Sequence, residues 1–322
     1  MLAVRADHPA WGGRKIRARL LALGHAATPA ASTITAILHR HGLITPESSR
    51  ASMPWRRFEH QAPNDLWQMD FKGPASLRHG TCFPLTILDD HSRYAVGLWS
   101  CADQRYETVR ERLTMVFRRY GLPSRMLSDN GPPWGSGDER GGWTHLEVWL
   151  LKLGVMMSHG RPRHPQTQGK DERFHRTLGA EVLRRADLQD HGHAQREFDR
   201  WRRVYNFERP HEALGLRPPI TRYRPSVRTF PEKLPTFEPC PGDTPVRVTE
   251  GGRVRMRGRV WYLGKAWDQE VVGLRASGEN GEHEVRFGPY VLGTFNTQDR
   301  DTRVRLAPLG RCATSLHEPH AS

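Results

Sequence analysis

The sequence predicts a mixed α/β sheet with helices on its faces, preceded by two short helices and followed by a small all-β barrel. Three observations predict it. Residues 65–158 alternate strand-like and helix-like patterns in the order βββαβαβα. Residues 13–41 carry two short apolar stripes at helical spacing. From Pro245 the pattern changes to short strands separated by Gly turns, the signature of a small barrel of Src-homology-3 type.

The first helix runs from Gly13 to Leu23, with Ile16, Leu20 and Leu23 on one face and Gly24 as its stop. A second opens at Ser32-Thr33, faces Ile34, Ile37, Leu38 and His41 inward, and stops at Gly42. The pair fits a helix-turn-helix unit and equally a plain helical hairpin. The core opens with a strand at Leu66–Lys72. Phe83–Asp89 and Tyr94–Trp99 then form a hairpin through the turn 90–93. Gln104–Tyr120 is an amphipathic helix facing Val109, Leu113, Val116, Phe117 and Tyr120 inward, stopped by Gly121 and Pro123. A short buried strand follows at Arg125–Ser128, then a helix at Thr144–Leu153, a strand at Val155–Ser158, and helices near Gln168–Arg184 and Ala194–Tyr205. The expected division is 1–44 helical unit, 45–64 linker, 65–207 core, 208–244 Pro-rich linker, 245–308 barrel and 309–322 disordered tail.

With 49 Lys and Arg against 35 Asp and Glu, the chain carries a formal charge of +14, which points to a polyanionic partner. Arg is spread along the whole chain, so this is not a basic tail. None of the four cysteines forms a C-x-x-C pair, which argues against a zinc ribbon. No apolar run approaches the ~20 residues that span a bilayer. A cytoplasmic, nucleoid-associated protein without a membrane partner is expected.

Three acidic residues stand apart. Asp70 lies in a strand among Leu66, Trp67, Met69 and Phe71. Asp129 ends the strand carrying Met126 and Leu127, and Glu172 sits on the first turns of a helix. Carboxylates at strand ends are costly unless they meet cations or donors. A set of three invites Mg²⁺ or Mn²⁺, and can hold two metals ~3.5–4 Å apart for an in-line displacement at phosphorus. Taken singly, each has a plainer explanation. An Asp before Asn-Gly is commonly a turn residue, and a helical Glu is commonly a solvated charge.

The segments around these acids resemble a known family. Trp11–Ile16, Pro63–Gly73, Ser128–Gly131, His164–Arg173 and Tyr205–His211 are similar, in order, to the insertion-sequence transposases that share the retroviral-integrase core, the DDE recombinases. The resemblance implies a ribonuclease-H-like fold with a mixed five-stranded sheet. It also implies Mg²⁺-dependent cutting and joining of element ends and target DNA, and a homo-oligomer on that DNA. It assigns Asp70, Asp129 and Glu172 to the metal and catalytic positions. Gln168, one turn before Glu172, Arg176, one turn after, and His164 and Lys170 become expected DNA contacts. Arg14, Lys15, Arg56 and Arg57 extend that surface, and Asn130 and Gly131 support Asp129.

Three departures accompany the resemblance. The step from Asp129 to Glu172 is longer than the family's usual one, and the Gly-rich stretch 135–142 reads as the insertion. Seven positions after Glu172, where the family carries a basic residue, stands Gly179. The chain opens within what resembles the second helical unit of longer relatives. Two other functions therefore remain: an inactive remnant that only binds DNA, and a ribonuclease-H-type nuclease on RNA–DNA hybrids, which would have no evident need of the flanking modules. Asp171, about 100° around the helix from Glu172, is expected to face solvent.

Overall fold

A computed structural model describes residues 1–44, 59–131, 133–135, 142–160, 169–278, 280–300 and 302–311. Among them no helix is long and apolar enough to cross a membrane. The chain divides into two compact units, Met1–Ser128 with Gly160–Phe230, and Asp129–His159 with Pro231–Ser322.

The first unit opens with three helices where the sequence predicts two: α1 (Leu2–Asp7), α2 (Gly13–Ala22) and α3 (Ala31–Arg40). Trp11, Ile16, Leu20, Ile34 and Leu38 form their core. Leu23, expected inward, is 52% exposed because α2 ends one residue earlier. Gly13 allows the two helices to touch. A Cβ there would stand 2.4 Å from the Ala31 carbonyl oxygen and 2.3 Å from the Thr35 hydroxyl.

The sheet of this unit holds β1 (Leu66–Phe71), β2 (Ala75–Leu77), β3 (Gly80–Asp89), β4 (Ala95–Cys101) and β5 (Arg125–Ser128). β3 pairs antiparallel with β1, β2 and β4, while β1 and β5 run parallel with Gln68 opposite Leu127. The sheet is thus mixed. Among the described residues this unit's sheet holds five strands where the sequence places four, the short strand β2 being one more than the five-stranded expectation allows for. Three residues are too few to show a period.

α4 (Tyr106–Tyr120) buries Val109, Leu113, Val116, Phe117 and Tyr120, all five of its predicted inward residues. Later in the chain come α6 (Gly169–Leu178), a π-helical turn at Gly179–Leu183, and α7 (His191–Phe207). Phe174, Leu178, Val182, Phe198, Trp201 and Tyr205 join Leu88, Ala95 and Leu98 of the sheet in one core. The Asp190 carboxylate caps α7 by accepting from the His193 amide at 2.8 Å. The Pro-rich stretch is not a free linker at its start. Tyr223 stacks on Tyr94 with ring centres 4.2 Å apart, and the Ser226 amide donates to the Tyr120 carbonyl at 2.8 Å.

The second unit holds α5 (His145–Lys152), β6 (Met156–His159) and an antiparallel sheet in the order β13 (Arg305–Arg311), β12 (Tyr290–Asn296), β11 (Glu282–Phe287), β10 (Val271–Ala276), β7 (Thr244–Arg247). A hairpin of β8 (Arg253–Met256) and β9 (Arg259–Tyr262) accompanies it. β13 corrects the expected tail, since the strand continues to Arg311. Trp261, Trp267, Val285, Phe287 and Phe295 fill the core, and Val148 and Leu151 of α5 belong to it.

Candidate active site

β1 carries the first acid. Its side chains alternate, so Gln68, Asp70 and Lys72 share one face, with Lys72 still paired through its amide to the Pro84 carbonyl at 2.9 Å. The Asp70 side chain is one-third exposed, as a ligand-binding carboxylate has to be. Beneath it the Thr86 hydroxyl donates to the Asp70 carbonyl at 3.0 Å and lies 2.8 Å from Nε2 of His175. With its one proton given to Asp70, the hydroxyl accepts from Nε2–H. The unprotonated Nδ1 then stands 3.8 Å from Asp70 Oδ2. Burial, helped by the Lys72 charge, pushes the His175 pKa down to about 4. The ring is therefore neutral and the contact is a steric and dipolar one, not an ion pair.

α6 presents Asp171, Phe174, His175 and Leu178 to the sheet, the i, i+3, i+4, i+7 stripe of an amphipathic helix, and leaves Glu172, Arg173 and Arg176 exposed. This corrects the expectation for Asp171. It is 5% exposed, and its Oδ1 has no hydrogen-bond partner among the described residues. Burial, with Asp70 and Asp90 as like charges, holds its pKa well above the usual carboxylate range. The rotation of about 100° from Glu172 is right, but it points Asp171 inward. Lys170 is also turned inward: its ammonium pairs with Asp90, a carboxylate 1% exposed that also accepts from Gln68 Nε2 at 2.7 Å and the His60 amide at 2.9 Å. Lys170 is thus the counter-ion of a buried acid, where the sequence reading had it reach for DNA.

Asp129 follows β5 and opens the second unit. The Gly131 amide donates to its Oδ1 at 3.0 Å, an Asx turn that explains the Asp-Asn-Gly spelling. Asn130 is exposed beside it. His159 braces the backbone here, with Nδ1 2.8 Å from the Asp129 carbonyl oxygen and Nε2 2.9 Å from Glu147 Oε1. Burial opposes a charge on this ring, but the two acceptors outweigh it and raise its pKa. Both partners are acceptors, so the geometry suits a ring that donates from both nitrogens. α5 is anchored at the same place, because Thr144 and Glu147 form a reciprocal capping box.

Among the described residues no group of three or more His, Cys, Asp or Glu is close enough to hold a metal ion. Arg14 is exposed on α2, whereas Lys15 is half-buried and its pKa is lowered to about 8 by burial and then by Arg209. Arg56, Arg57, His164 and Gln168 lie outside the described residues. The sequence reading missed His159 and His175. His175 was discoverable, since it shares the apolar stripe of α6, while His159 had no local signal.

Known proteins share these segments. Residues 60–165 match the integrase core domain family, and residues 153–219 match a second integrase core domain description. An uncharacterized 31.7 kDa protein of insertion element IS407 from Burkholderia multivorans is 27% identical over 158 residues, 49% of this chain and 54% of that protein. An uncharacterized 39.2 kDa protein of insertion element IS476 from Xanthomonas euvesicatoria is 28% identical over 159 residues, 49% of this chain and 43% of that protein. The Gag-Pol polyprotein of koala retrovirus is 26% identical over 140 residues, 43% of this chain and 8% of the polyprotein. The chain spans about half the length of the two insertion-element relatives. Among solved structures, a chain of the simian T-cell lymphotropic virus intasome in complex with the PP2A regulatory subunit B56 gamma aligns over 84% of this chain and 87% of its own, with 14% identity and a TM-score of 0.43. The HTLV-2 integrase catalytic core in complex with magnesium aligns over 51% of this chain and 99% of its own, with 12% identity and a TM-score of 0.40. The chain carries an integrase core domain across residues 60–219 and is distantly homologous to insertion-element proteins and retroviral integrases.

Proposed function

We propose that this chain is a DDE-type transposase that cuts DNA at the ends of an insertion sequence and joins the cut strand to target DNA. The observation that carries the reading is the setting of its three acids. Asp70 stands at the accessible end of β1, Asp129 directly follows β5, the parallel neighbour of β1, and Glu172 lies exposed in the first turn of α6. All three fall inside the integrase core match.

The donor set fits a hard divalent cation in kind, since it offers only carboxylate oxygens, although the three are not gathered within a metal's reach of one another in this structure. Asp70, Asp129 and Glu172 would hold Mg²⁺ or Mn²⁺, which when bound activates a water or a 3′-hydroxyl and neutralises the leaving oxygen. The chain's own residues do the rest. His175 and Thr86 hold the backbone and flank of Asp70, and His159 holds the turn that presents Asp129. Arg14, Arg176 and the basic surface bind phosphates, and Gln168, His164, Arg56 and Arg57 extend that contact. The expected scaffold is ribonuclease-H-like, with an SH3-like barrel after it and a helix-turn-helix before it. Copies of the chain pair on the element's inverted repeats. The second reading, a remnant that binds DNA without cutting it, draws on Gly179 in place of a basic residue.

Labelled duplexes covering the DNA that flanks the gene would be incubated with the purified chain and Mg²⁺ or Mn²⁺, beside Asp129→Ala. Cutting by the parent alone is the expected result. Equal cutting by both proteins would sink the acid triad, and tight binding with no cutting by either would favour the remnant.

A further inference from the structure

Gly179 opens the π-helical turn at the end of α6, seven residues after Glu172 and one helical turn after His175. A Cβ placed on it would stand 3.7 Å from Arg184 Nη1 and 3.9 Å from Lys72 Cε. Two cationic side chains, one from the end of β1 and one from the residue after the π-turn, thus converge on the space that the missing side chain leaves. The π-turn itself brings Arg184 round, because the Arg184 amide closes the wide turn on the Gly179 carbonyl at 3.1 Å.

Neither cation is consumed by the fold. Among the described residues, the Lys72 ammonium and the Arg184 guanidinium have no hydrogen-bond or ion-pair partner. This sets them apart from Lys170, which pairs with Asp90, and from Arg209, which grips Glu181 at 3.1 Å. Two like charges held beside one notch repel unless an anion lies between them. Lys72 also shares the strand face of Asp70 two residues away, a step of roughly 6.6 Å along β1. The notch therefore lies next to the acid expected to work on a phosphodiester.

We propose that Lys72, Gly179 and Arg184 form a phosphate-binding notch for the nucleic-acid backbone, one nucleotide step or so from the group held at Asp70. It deepens the transposase reading and rests on it for the identity of the anion. Lys72 contributes a point charge and Arg184 a planar fork, and the buried glycine beneath them adds no side chain to hold the two apart. The cationic contact that a helical side chain would supply at position 179 comes instead from the strand and from the turn. Such contacts position the strand and do not read its bases.

The test is a salt titration of duplex binding by the full chain, without divalent metal so that nothing is cut. Lys72→Gln combined with Arg184→Gln should make the negative slope of log K against log salt shallower by about 0.9 if the two share one phosphate, and by about 1.8 if they take neighbouring ones. The loss should be alike on unrelated sequences. Gly179→Glu, which places a carboxylate between the two cations, should reproduce the loss, and Lys72→Arg should retain the parent slope. Melting temperature is measured on every variant to confirm the fold. An unchanged slope in folded double variant and folded Gly179→Glu would overturn the notch. Because the titration needs no chemistry, a chain that shows the slope change but never cuts would sink the transposase reading and leave the notch standing.

Discussion

Nδ1 of His175 stands 3.8 Å from Oδ2 of Asp70, and Nε2 of the same ring meets the Thr86 hydroxyl that holds the Asp70 carbonyl. The three residues come from α6, β1 and β3, so the acid is fixed by both neighbours of its strand face. Removing the ring frees the Asp70 carboxylate to rotate. A misplacement of about 1 Å at a reacting group can cost roughly 10²-fold in rate. His175→Leu should therefore slow single-turnover DNA cutting by about that factor while leaving DNA affinity near the parent's. Thr86→Val should act in the same direction and more weakly. Full cutting by a folded His175→Leu protein would remove any positioning role.

Lys170 separates a structural from a DNA-binding cation. Its ammonium pairs with the buried Asp90, which among the described residues would otherwise keep the Gln68 and His60 donors alone. Breaking a buried pair from one side commonly costs about 3–5 kcal/mol, and the two remaining donors place this case near the lower end. Lys170→Met should lower the denaturant midpoint accordingly, and Lys170→Met with Asp90→Leu should recover part of the loss. A stable Lys170→Met protein with weakened DNA binding would restore the original assignment.

Asp171 is the opposite case, a buried acid whose Oδ1 goes without a partner among the described residues. Its helical neighbours on the sheet side are Phe174 and Leu178, so an apolar replacement has company. An unsatisfied buried polar group costs about 1–3 kcal/mol. Asp171→Leu should raise stability by an amount of that order and keep DNA cutting, while Glu172→Gln should abolish cutting without a change in melting temperature. Loss of cutting in a stabilised Asp171→Leu protein would transfer the catalytic role from Glu172 to its neighbour.

How far the sequence carried these results depends on the range of each interaction. The inward face of α4 was legible, although the helix starts at Tyr106 and not Gln104, because fifteen positions give a 3.6-residue period room to show. The turn at Asp129 was legible from its Asp-Asn-Gly spelling, since an Asx turn is a local feature. The inward turn of Asp171 is written in its stripe with Phe174, His175 and Leu178, a period that outweighs the residue's charge. The Lys170–Asp90 pair was out of reach, because its partners lie 80 positions apart and neither belongs to a repeating pattern. The notch at Gly179 was invisible for the same reason: a glycine reads as a deletion until the strand beside it is known.

Two titratable groups are linked in charge, since Lys15 of α2 lowers the pKa of His211. Lys15 has its pKa lowered to about 8 from 10.5 by burial and then by Arg209, with Arg173 adding to the effect and Glu181 and Glu212 opposing it. His211 is buried against Tyr205, its Nε2 has no partner among the described residues, and its pKa is driven well below 6.5 by burial, Arg209 and Lys15, with Arg93 adding to the effect and a hydrogen bond to the Tyr205 backbone opposing it. Both folded-state values lie below the unfolded ones, so the unfolded chain binds more protons in each window. Stability should rise with pH from about 8 to 10.5 on account of Lys15, and should fall as pH drops below 6.5 on account of His211. Lys15→Met should flatten the alkaline limb and raise stability at pH 7. His211→Phe should flatten the acid limb alone. Denaturant midpoints measured across both windows decide the matter, and a parent slope retained in Lys15→Met would show that the lysine is not the titrating group.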